Sequence, residues 1–414
     1  MDESAKRLME VPPYVLSVMD ILHACGYDAY LAGGCVRDLL LARIPKDWDI
    51  TTSALPAQIL SLFDKTLDIG REHATIVVLK PEGSVDITTF RVEGRYRDHR
   101  HPDEIRFTGC LEEDLSRRDF TINAMAMDRN GEIIDLFDGQ KDIRNGILRC
   151  VGDPLARFSE DALRMMRCLR FAAQLGFTVE GSTCRAISSC SHLIRYVSRE
   201  RIRDELSKIL LSQEPGILYL VYKTRLLSHF LPALHHTLRR NRNFLRDVIC
   251  LDMKSLPYFL PLRLALLLSG SEPDMAEKML KDLHFEHKII QKVMIFLHHS
   301  SPPPVPDAYS VRKIMVKTGR DLFPYLLDFW SVAGKSDETH LSALRHWYDE
   351  AVLNCECISL SELEVGGDDL LRLGWKKGRE IGMILNDLLE QVILDPRLNQ
   401  KDILLGLIRA RQSV

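Results

Sequence analysis

The sequence predicts an α+β chain, with a head of mixed sheet and helices over residues 1–150 and an all-helical remainder. Two contrasts along the chain carry this prediction. Between residues 28 and 137, short β-branched runs such as Ala74–Leu79 and Val85–Phe90 alternate with turn signals at Pro81-Glu82-Gly83 and Asn130-Gly131. After Pro154 these signals fade, and apolar residues recur at helical spacing, as in Ile381, Ile384, Leu385, Leu388, Leu389 and Val392. The run Ser300-Ser301-Pro302-Pro303-Pro304-Val305-Pro306 fits neither a helix nor a central strand and reads as a hinge or stiff connector. No tandem repeat of fixed period and no low-complexity tail is present.

A chain of 414 residues is too long for one small core and fits two to four packed units. At 46% hydrophobic and 27% charged residues it falls in the range of globular proteins, which argues against disorder and fibrous repeats. Fifty-five Lys and Arg against 58 Asp and Glu leave a net charge of -3, so nucleic-acid binding requires a local basic surface rather than a basic chain. The N-terminus lacks the basic flank and apolar run of a secretory signal, and a cytoplasmic location is expected. No apolar stretch approaches the length of a membrane span, because Leu256–Ser269 is interrupted by Pro261 and Arg263. The 10 cysteines show no C-x-x-C spacing and read as reduced, mostly buried thiols.

Two short elements point to chemistry. Tyr30-Leu31-Ala32-Gly33-Gly34-Cys35-Val36-Arg37-Asp38 is followed by Asp47-Trp48-Asp49-Ile50. Alternate residues of a strand face one side, so Asp47 and Asp49 project together, as two-metal phosphoryl transfer requires. The glycine pair lets backbone N–H groups approach a triphosphate, with Arg37 supplying a charge-assisted contact. Downstream, Val85-Asp86-Ile87-Thr88-Thr89-Phe90-Arg91 places one acid in a β-type run, where a neighbouring strand can present a third carboxylate. Each piece alone also describes an ordinary turn or strand end. Their ordered combination points to nucleotidyl transfer.

Arg117-Arg118-Asp119-Phe120-Thr121-Ile122-Asn123-Ala124 and then Glu160-Asp161-Ala162-Leu163-Arg164-Met165-Met166-Arg167 complete a recognisable set. With them the chain resembles the class II tRNA nucleotidyltransferases, the bacterial CCA-adding enzymes and their poly(A) polymerase relatives, which have a polymerase β-like head. The resemblance runs from Gly33 to the tail segments Gly366-Gly367-Asp368-Asp369-Leu370 and Pro396-Arg397-Leu398-Asn399. It implies a catalytic head at 1–150, a neck with the nucleotide-selecting helix at 151–215, a body at 216–300 and a tRNA-binding tail at 301–414. It also implies triphosphate and metal binding by Gly33, Gly34, Arg37, Asp38, Asp47 and Asp49, with Mg²⁺ held by the two aspartates, and ribose recognition by Arg118, Asp119 and Asn123. Whether Asp86 or Asp119 completes the metal site stays open. Asp135–Asp142 resembles the family's hinge between head and neck, and Ser198–Leu206 resembles the helix that buttresses the selecting helix.

That selecting helix has its own chemical logic. Ala162, Met165 or Met166, Leu169 and Ala173 form an apolar stripe, with Glu160, Arg164, Arg167 and Gln174 opposite. Asp161 and Arg164, at i and i+3, are spaced to read one planar base: the carboxylate accepts from the amine of C or A, and the guanidinium donates to the acceptor beside it. Arg167 and Arg170 join this nucleotide-binding face. The stretch Arg95–Glu104 reads as a mobile loop, which the resemblance ties to the switch to ATP. RNA phosphates are expected at Arg195, Arg199, Arg201, Arg203, Arg239, Arg240 and Arg242. The pairs His235-His236 and His298-His299 read as surface or structural histidines, and no His-Asp dipeptide marks an appended phosphohydrolase. The expected substrates are CTP, ATP and the tRNA 3′ end, with no DNA or membrane partner. An A-adding enzyme, a poly(A) polymerase and an inactive RNA-binding protein of the same fold remain as alternatives.

Overall fold

The computed structural model describes residues 8–68, 75–94, 104–240, 253 and 256–412. The chain divides into two compact units, one running to Lys254 and including Asp282–His284, the other comprising Ser255–Lys281 and Phe285–Val414. The expected division at 150, 215 and 300 is finer than this. The break near residue 255 falls inside the segment assigned to the body.

The first unit opens with α1 (Pro13–Ala24), whose first residue is a proline pre-set for the first helical turn and whose exit is the left-handed Gly26. The chain continues through β1 (Ala29–Ala32), α2 (Gly34–Leu40), β2 (Asp49–Thr52), α3 (Pro56–Leu62), β3 (Thr66–Asp68), β4 (Thr75–Lys80), β5 (Gly83–Thr89), β6 (Arg91–Glu93) and β7 (Ile105–Phe107). Next come α4 (Leu111–Ser116), a 3₁₀ turn at Thr121–Asn123, β8 (Met125–Met127), β9 (Ile133–Asp135) and α5 (Gly139–Asn145). Seven of these strands form one sheet in the order β3-β4-β5-β2-β1-β8-β9. Every neighbouring pair is antiparallel except β2 and β5, which run parallel with Asp49 opposite Asp86.

The period-2 alternation of β5 explains which face is buried. Val85 and Ile87 are fully buried and pack with Ile50, Val78 and Met125 beneath Val15, Val18, Met19 and Leu22 of α1. Truncating one such residue, for example Leu22→Ala, costs about 2–5 kcal/mol. Asp86 and Thr88 alternate onto the opposite, half-exposed face. The same parity on β2 sends Asp49 there, and the sheet's second face becomes the floor of a site.

After β10 (Ile147–Leu148) come α6 (Pro154–Glu160), α7 (Leu163–Leu175), β11 (Thr178–Val179), α8 (Gly181–Cys190) and α9 (Arg199–Leu210). α10 (Leu218–Lys223), α11 (Leu226–Phe230) and α12 (Pro232–Arg240) follow. Among the described residues after β10 the elements are helical apart from β11, which pairs in parallel with β10. The expected single helix around Glu160–Gln174 is two helices. Asp161 adopts extended backbone (φ -128°, ψ 107°) and its Oδ1 accepts from the Leu163 amide at 2.9 Å, capping α7 and ending α6. Asp161 and Arg164 thus do not share a helix face. Arg164 is 8% exposed, so its side of α7 is not a solvated face. The apolar stripe is as expected, with Met165, Met166, Leu169 and Ala173 fully buried.

The second unit is built from α13 (Leu260–Leu268), α14 (Pro273–Asp282), α15 (His287–His298), α16 (Ala308–Thr318), α17 (Phe323–Val332), α18 (Glu338–Leu353), α19 (Gly367–Arg372), α20 (Arg379–Leu394) and α21 (Lys401–Gln412). The proline-rich run lies within this unit rather than at its border. It is pinned there: Trp330 Nε1 donates to the carbonyls of His299 and Ser301, and Trp347 Nε1 to that of Pro306. His340 Nε2 bonds the Pro304 carbonyl. A segment with few backbone donors of its own is held through its carbonyls, so it serves as a connector and not a hinge. The quoted tail motifs act locally: Asp369 accepts from the Gly366 amide at the start of α19, and Asn399 bridges the Glu362 carbonyl and the Glu364 amide. Among the described residues no helix is long and apolar enough to cross a membrane, and the nine described cysteines are all free.

Candidate active site

A cleft of about 1030 Å³ opens over the polar face of the sheet and is walled by α7 and α9. Its floor carries Asp47 and Asp49, its edge the Gly33-Gly34 turn, and its walls Arg37, Arg118, Asp119, Asn123, Asp161, Arg164 and Arg167. Of the residues expected to bind nucleotide or metal, Asp38 and Arg170 do not line it, nor does Asp86, the alternative third acid. Asp38 instead receives the Arg37 guanidinium at 2.8 and 2.9 Å, leaving Arg37 Nη1 to donate to Asn123 Oδ1 at 2.8 Å. Arg170 donates to Glu205 on α9 at 2.5 Å and stacks over the Phe171 ring, 3.9 Å from its centroid. α9 therefore braces α7 through an ion pair, in keeping with the buttressing expected of Ser198–Leu206.

Gly33 makes the turn possible. Its backbone (φ 77°, ψ -127°) lies where side-chain-bearing residues are strained, and a Cβ there would stand 2.8 Å from Arg118 Nη1. The absence of a side chain brings a guanidinium, the turn and the start of α2 together.

The carboxylates converge less regularly than strand alternation implies, because Asp47 sits in the bend just before β2 and only Asp49 is in the strand. They nevertheless act on one another. Burial, then Asp86 and, more weakly, Asp47, push the Asp49 carboxyl up to about 6 against the opposing pull of Arg118. Burial and Asp47 likewise raise Asp86. Asp86, not Asp119, is thus the third acid that Asp49 senses. Asp119 is turned elsewhere: burial acts to raise its carboxyl, but Arg167, at 2.6 and 2.9 Å, Arg164 and Asn123 outweigh this and hold it below the usual range.

Among the described residues no three acids or other metal-ligating side chains form a closed cage. Two carboxylates repelling one another at an open floor, with room above for phosphate oxygens, match Mg²⁺, which is held by one or two carboxylates plus substrate and water rather than by an all-protein cage. Asp47 and Asp49 are the residues that fit it.

The far wall holds the base-reading candidates. Asp161 keeps Oδ1 on its cap and receives Arg201 Nη2 on Oδ2 at 3.2 Å. Arg164 Nη1 donates to Glu160 at 2.5 Å and to the Arg157 carbonyl, and Nη2 to the Arg117 carbonyl. The Phe171 ring lies between guanidiniums, with Arg37 and Arg167 at 5.3 and 5.4 Å from its centroid.

Sequence reasoning missed several wall residues, namely Arg91, Glu93, Arg117, Arg201 and Phe171. Arg201, expected at an RNA surface, lies in the cleft instead. Arg199 and Arg203 donate to the carbonyls of Phe230 and His284, and Arg195 to that of His192. Arg239 and Arg240 are exposed at the end of α12. Arg242 and all of Arg95–Glu104 except Glu104 lie outside the described residues. β6 and β7, which flank that stretch, pair as an antiparallel ribbon with Glu93 opposite Ile105. The Asp135–Asp142 segment folds tightly within the head: Asp135 accepts from the amides of Gly139 and Gln140, and Asp142 from Thr121 and Arg149. His235 stacks on Tyr222, and His299 bonds the Ile295 carbonyl.

Comparison with known proteins agrees with this geometry. The poly(A) polymerase head domain family matches residues 29–149, an RNA- and SrmB-binding segment of polymerase A matches 176–238, and the second domain of tRNA nucleotidyltransferases matches 263–408. The chain is 36% identical over 401 residues to the CCA-adding enzyme of Lactiplantibacillus plantarum, covering 95% of this chain and 94% of that one. It is 35% identical over 392 residues to that of Leuconostoc mesenteroides, covering 94% and 93%. Among solved structures, the Bacillus stearothermophilus CCA-adding enzyme in complex with CTP superposes with a TM-score of 0.80 at 30% identity, over 97% of this chain and 99% of that one. The Thermotoga maritima enzyme complexed with tRNA shares the fold at 20% identity, with a TM-score of 0.63 over 98% of each chain.

Proposed function

Because the chain belongs to the family of CCA-adding enzymes, we propose that it transfers CMP and then AMP from CTP and ATP to the 3′ end of tRNA, with protein side chains in place of a nucleic-acid template. The observation that carries this reading is the single cleft in which Asp47 and Asp49 face the Gly33 turn on one side and Asp161 and Arg164 on the other. That arrangement joins phosphate chemistry to base reading in one cleft.

Arg37 and Arg118, beside the glycine turn, grip the triphosphate and sugar, and Asn123 is oriented for the ribose by the bonds it shares with Arg37 and Asp119. Asp161 accepts from the exocyclic amine of C or A, and its cap and Arg201 hold the carboxylate in place. U and G present a carbonyl where the amine would be, which faces a fixed carboxylate unfavourably. Arg164 supplies the neighbouring donor and Arg167 a further cation beside it. Asp47 and Asp49 would hold Mg²⁺, which would supply charge neutralisation for phosphoryl transfer. The exposed Arg239 and Arg240 on α12 offer phosphate contacts to the tRNA.

The test is extension of tRNAs ending at the discriminator base, at C and at CC, each supplied with CTP, ATP or both in Mg²⁺. Growth of all three to CCA and no further is expected. A single A added only to the CC-ended substrate would instead identify an A-adding enzyme, and long A tails a poly(A) polymerase.

A further inference from the structure

The most completely enclosed carboxylate beside the cleft touches no substrate position. Asp114, on α4, is fully buried. Its Oδ1 accepts from Arg117 Nη2 at 2.6 Å, Arg117 Nε at 3.0 Å and the Arg91 amide at 3.4 Å. Its Oδ2 accepts from Arg118 Nη2 at 3.0 Å and Thr51 Oγ1 at 3.1 Å. An ionised carboxylate accepts at about four lone-pair positions, so Asp114 is saturated and has nothing left for a ligand. Its effect is exerted through the groups it holds.

Those groups converge on the nucleotide. Arg117 and Arg118 follow Asp114 by three and four residues, one helical turn on, and both reach back to it. Thr51 lies on β2, two residues beyond Asp49. Arg118 Nη1, on the far side of the guanidinium, stands against the Gly33 turn and the Asn123 carbonyl. Arg117 Nη1 continues to Glu93 at 3.0 Å. One buried acid therefore ties the strand carrying the floor carboxylate to the guanidinium at the glycine turn.

We propose that Asp114 is a positioning residue for nucleotide binding, acting through Arg118. This rests on the reading above that Arg118 contacts the nucleotide. An asparagine at 114 keeps the shape but turns one acceptor into a donor, so at least one of Arg118, Arg117 and Thr51 then faces a donor. A misplaced Arg118 weakens the nucleotide complex without touching the tRNA surface.

The test measures AMP addition to tRNA ending in CC by wild type, Asp114→Asn, Arg118→Ala and the double variant, with tRNA affinity measured separately. Asp114→Asn is expected to raise the KM for ATP about tenfold, the size of one lost charge-assisted hydrogen bond, with tRNA Kd within about twofold of wild type. In the Arg118→Ala background the same change is expected to add less than about twofold, because the group it positions is gone. Full additivity, or tRNA Kd weakening in step with KM, would overturn the proposal. If Arg118→Ala itself leaves the KM for ATP unchanged, the nucleotide role of Arg118 falls with it; a raised KM with additive effects defeats the role of Asp114 alone. Should Asp114→Asn not fold, Thr51→Val removes one bond to Oδ2 while keeping a β-branched side chain. It is expected to raise KM about two- to threefold, and an unchanged KM counts against the proposal.

Discussion

Replacing Gly33 with alanine tests whether the glycine pair is a turn of convenience or a built part of the cleft. The backbone at Gly33 (φ 77°, ψ -127°) lies in a region that costs a side-chain-bearing residue about 1–3 kcal/mol. The new Cβ would also stand 2.8 Å from Arg118 Nη1, and that guanidinium is tethered to Asp114, so moving it strains a buried charge-assisted bond. Together these amount to about 2–4 kcal/mol. Gly34 is the internal control: a Cβ there meets Arg37 Nη2 at an ordinary 3.7 Å, and α2 already runs through it. In differential scanning calorimetry, the transition of the first unit in Gly33→Ala is expected to fall by roughly 5–10 °C, whereas Gly34→Ala stays within about 2 °C of wild type. In AMP incorporation Gly33→Ala raises the KM for ATP about tenfold or more. Equal melting of the two variants, or a Gly33→Ala enzyme with wild-type KM, would refute the reasoning.

Three further outcomes follow from the same geometry. Asp49→Asn, like Asp47→Ala, is expected to reduce transfer by roughly a thousandfold or more while the protein stays folded, since burial and the neighbouring acids outweigh Arg118 in disfavouring the Asp49 carboxylate; a variant with near-normal turnover would remove the metal assignment. Phe171→Leu keeps an apolar side chain but withdraws the ring beside which Arg37, Arg167 and Arg170 lie, and is expected to raise nucleotide KM about threefold at unchanged tRNA Kd, read by the same incorporation assay. Although burial acts to raise the Glu180 carboxyl, hydrogen bonds from Ser182 and the Thr183 amide hold it at about 2, so its contribution is present above the unfolded value of 4.5 and is lost as pH falls toward 2. Urea melts of Glu180→Gln are therefore expected to show a deficit at pH 7 that narrows steadily below pH 4.5, and a deficit independent of pH would contradict the cap.

Local pattern made much of this protein legible before its structure. The β-branched runs and turn pairs lie where strands form, and the Asp47-x-Asp49 and Gly33-Gly34 elements line the same cleft. What escaped depends on contacts that no window of sequence contains. The spacing of Asp161 and Arg164 is that of one helix face, and only the cap bond to Leu163 shows the helix broken between them. Asp114 sits in Leu-Glu-Glu-Asp-Leu-Ser, which reads as a solvated acidic turn, because Thr51, one of its partners, is 63 residues away. Arg201 is one of four arginines between residues 195 and 203, where nothing local marks it as the one that reaches Asp161. The proline run marked a stop for helices correctly, but the indoles that pin it come from α17 and α18.

Trp48 lies between the two floor carboxylates, is 7% exposed, and its carbonyl accepts from the Asp86 amide at 2.9 Å. The sequence holds only 4 tryptophans, and the other three, Trp330, Trp347 and Trp375, belong to the second unit. The backbone that carries the two carboxylates thus also carries one indole, whose ring belongs to the buried core of the first unit and does not line the cleft. Because Trp330 and Trp347 hold the proline run through their Nε1 groups, those indoles are best left in place, and a change in emission on adding Mg²⁺ or nucleotide that Trp48→Phe abolishes would report on the strand beneath the cleft with no attached dye.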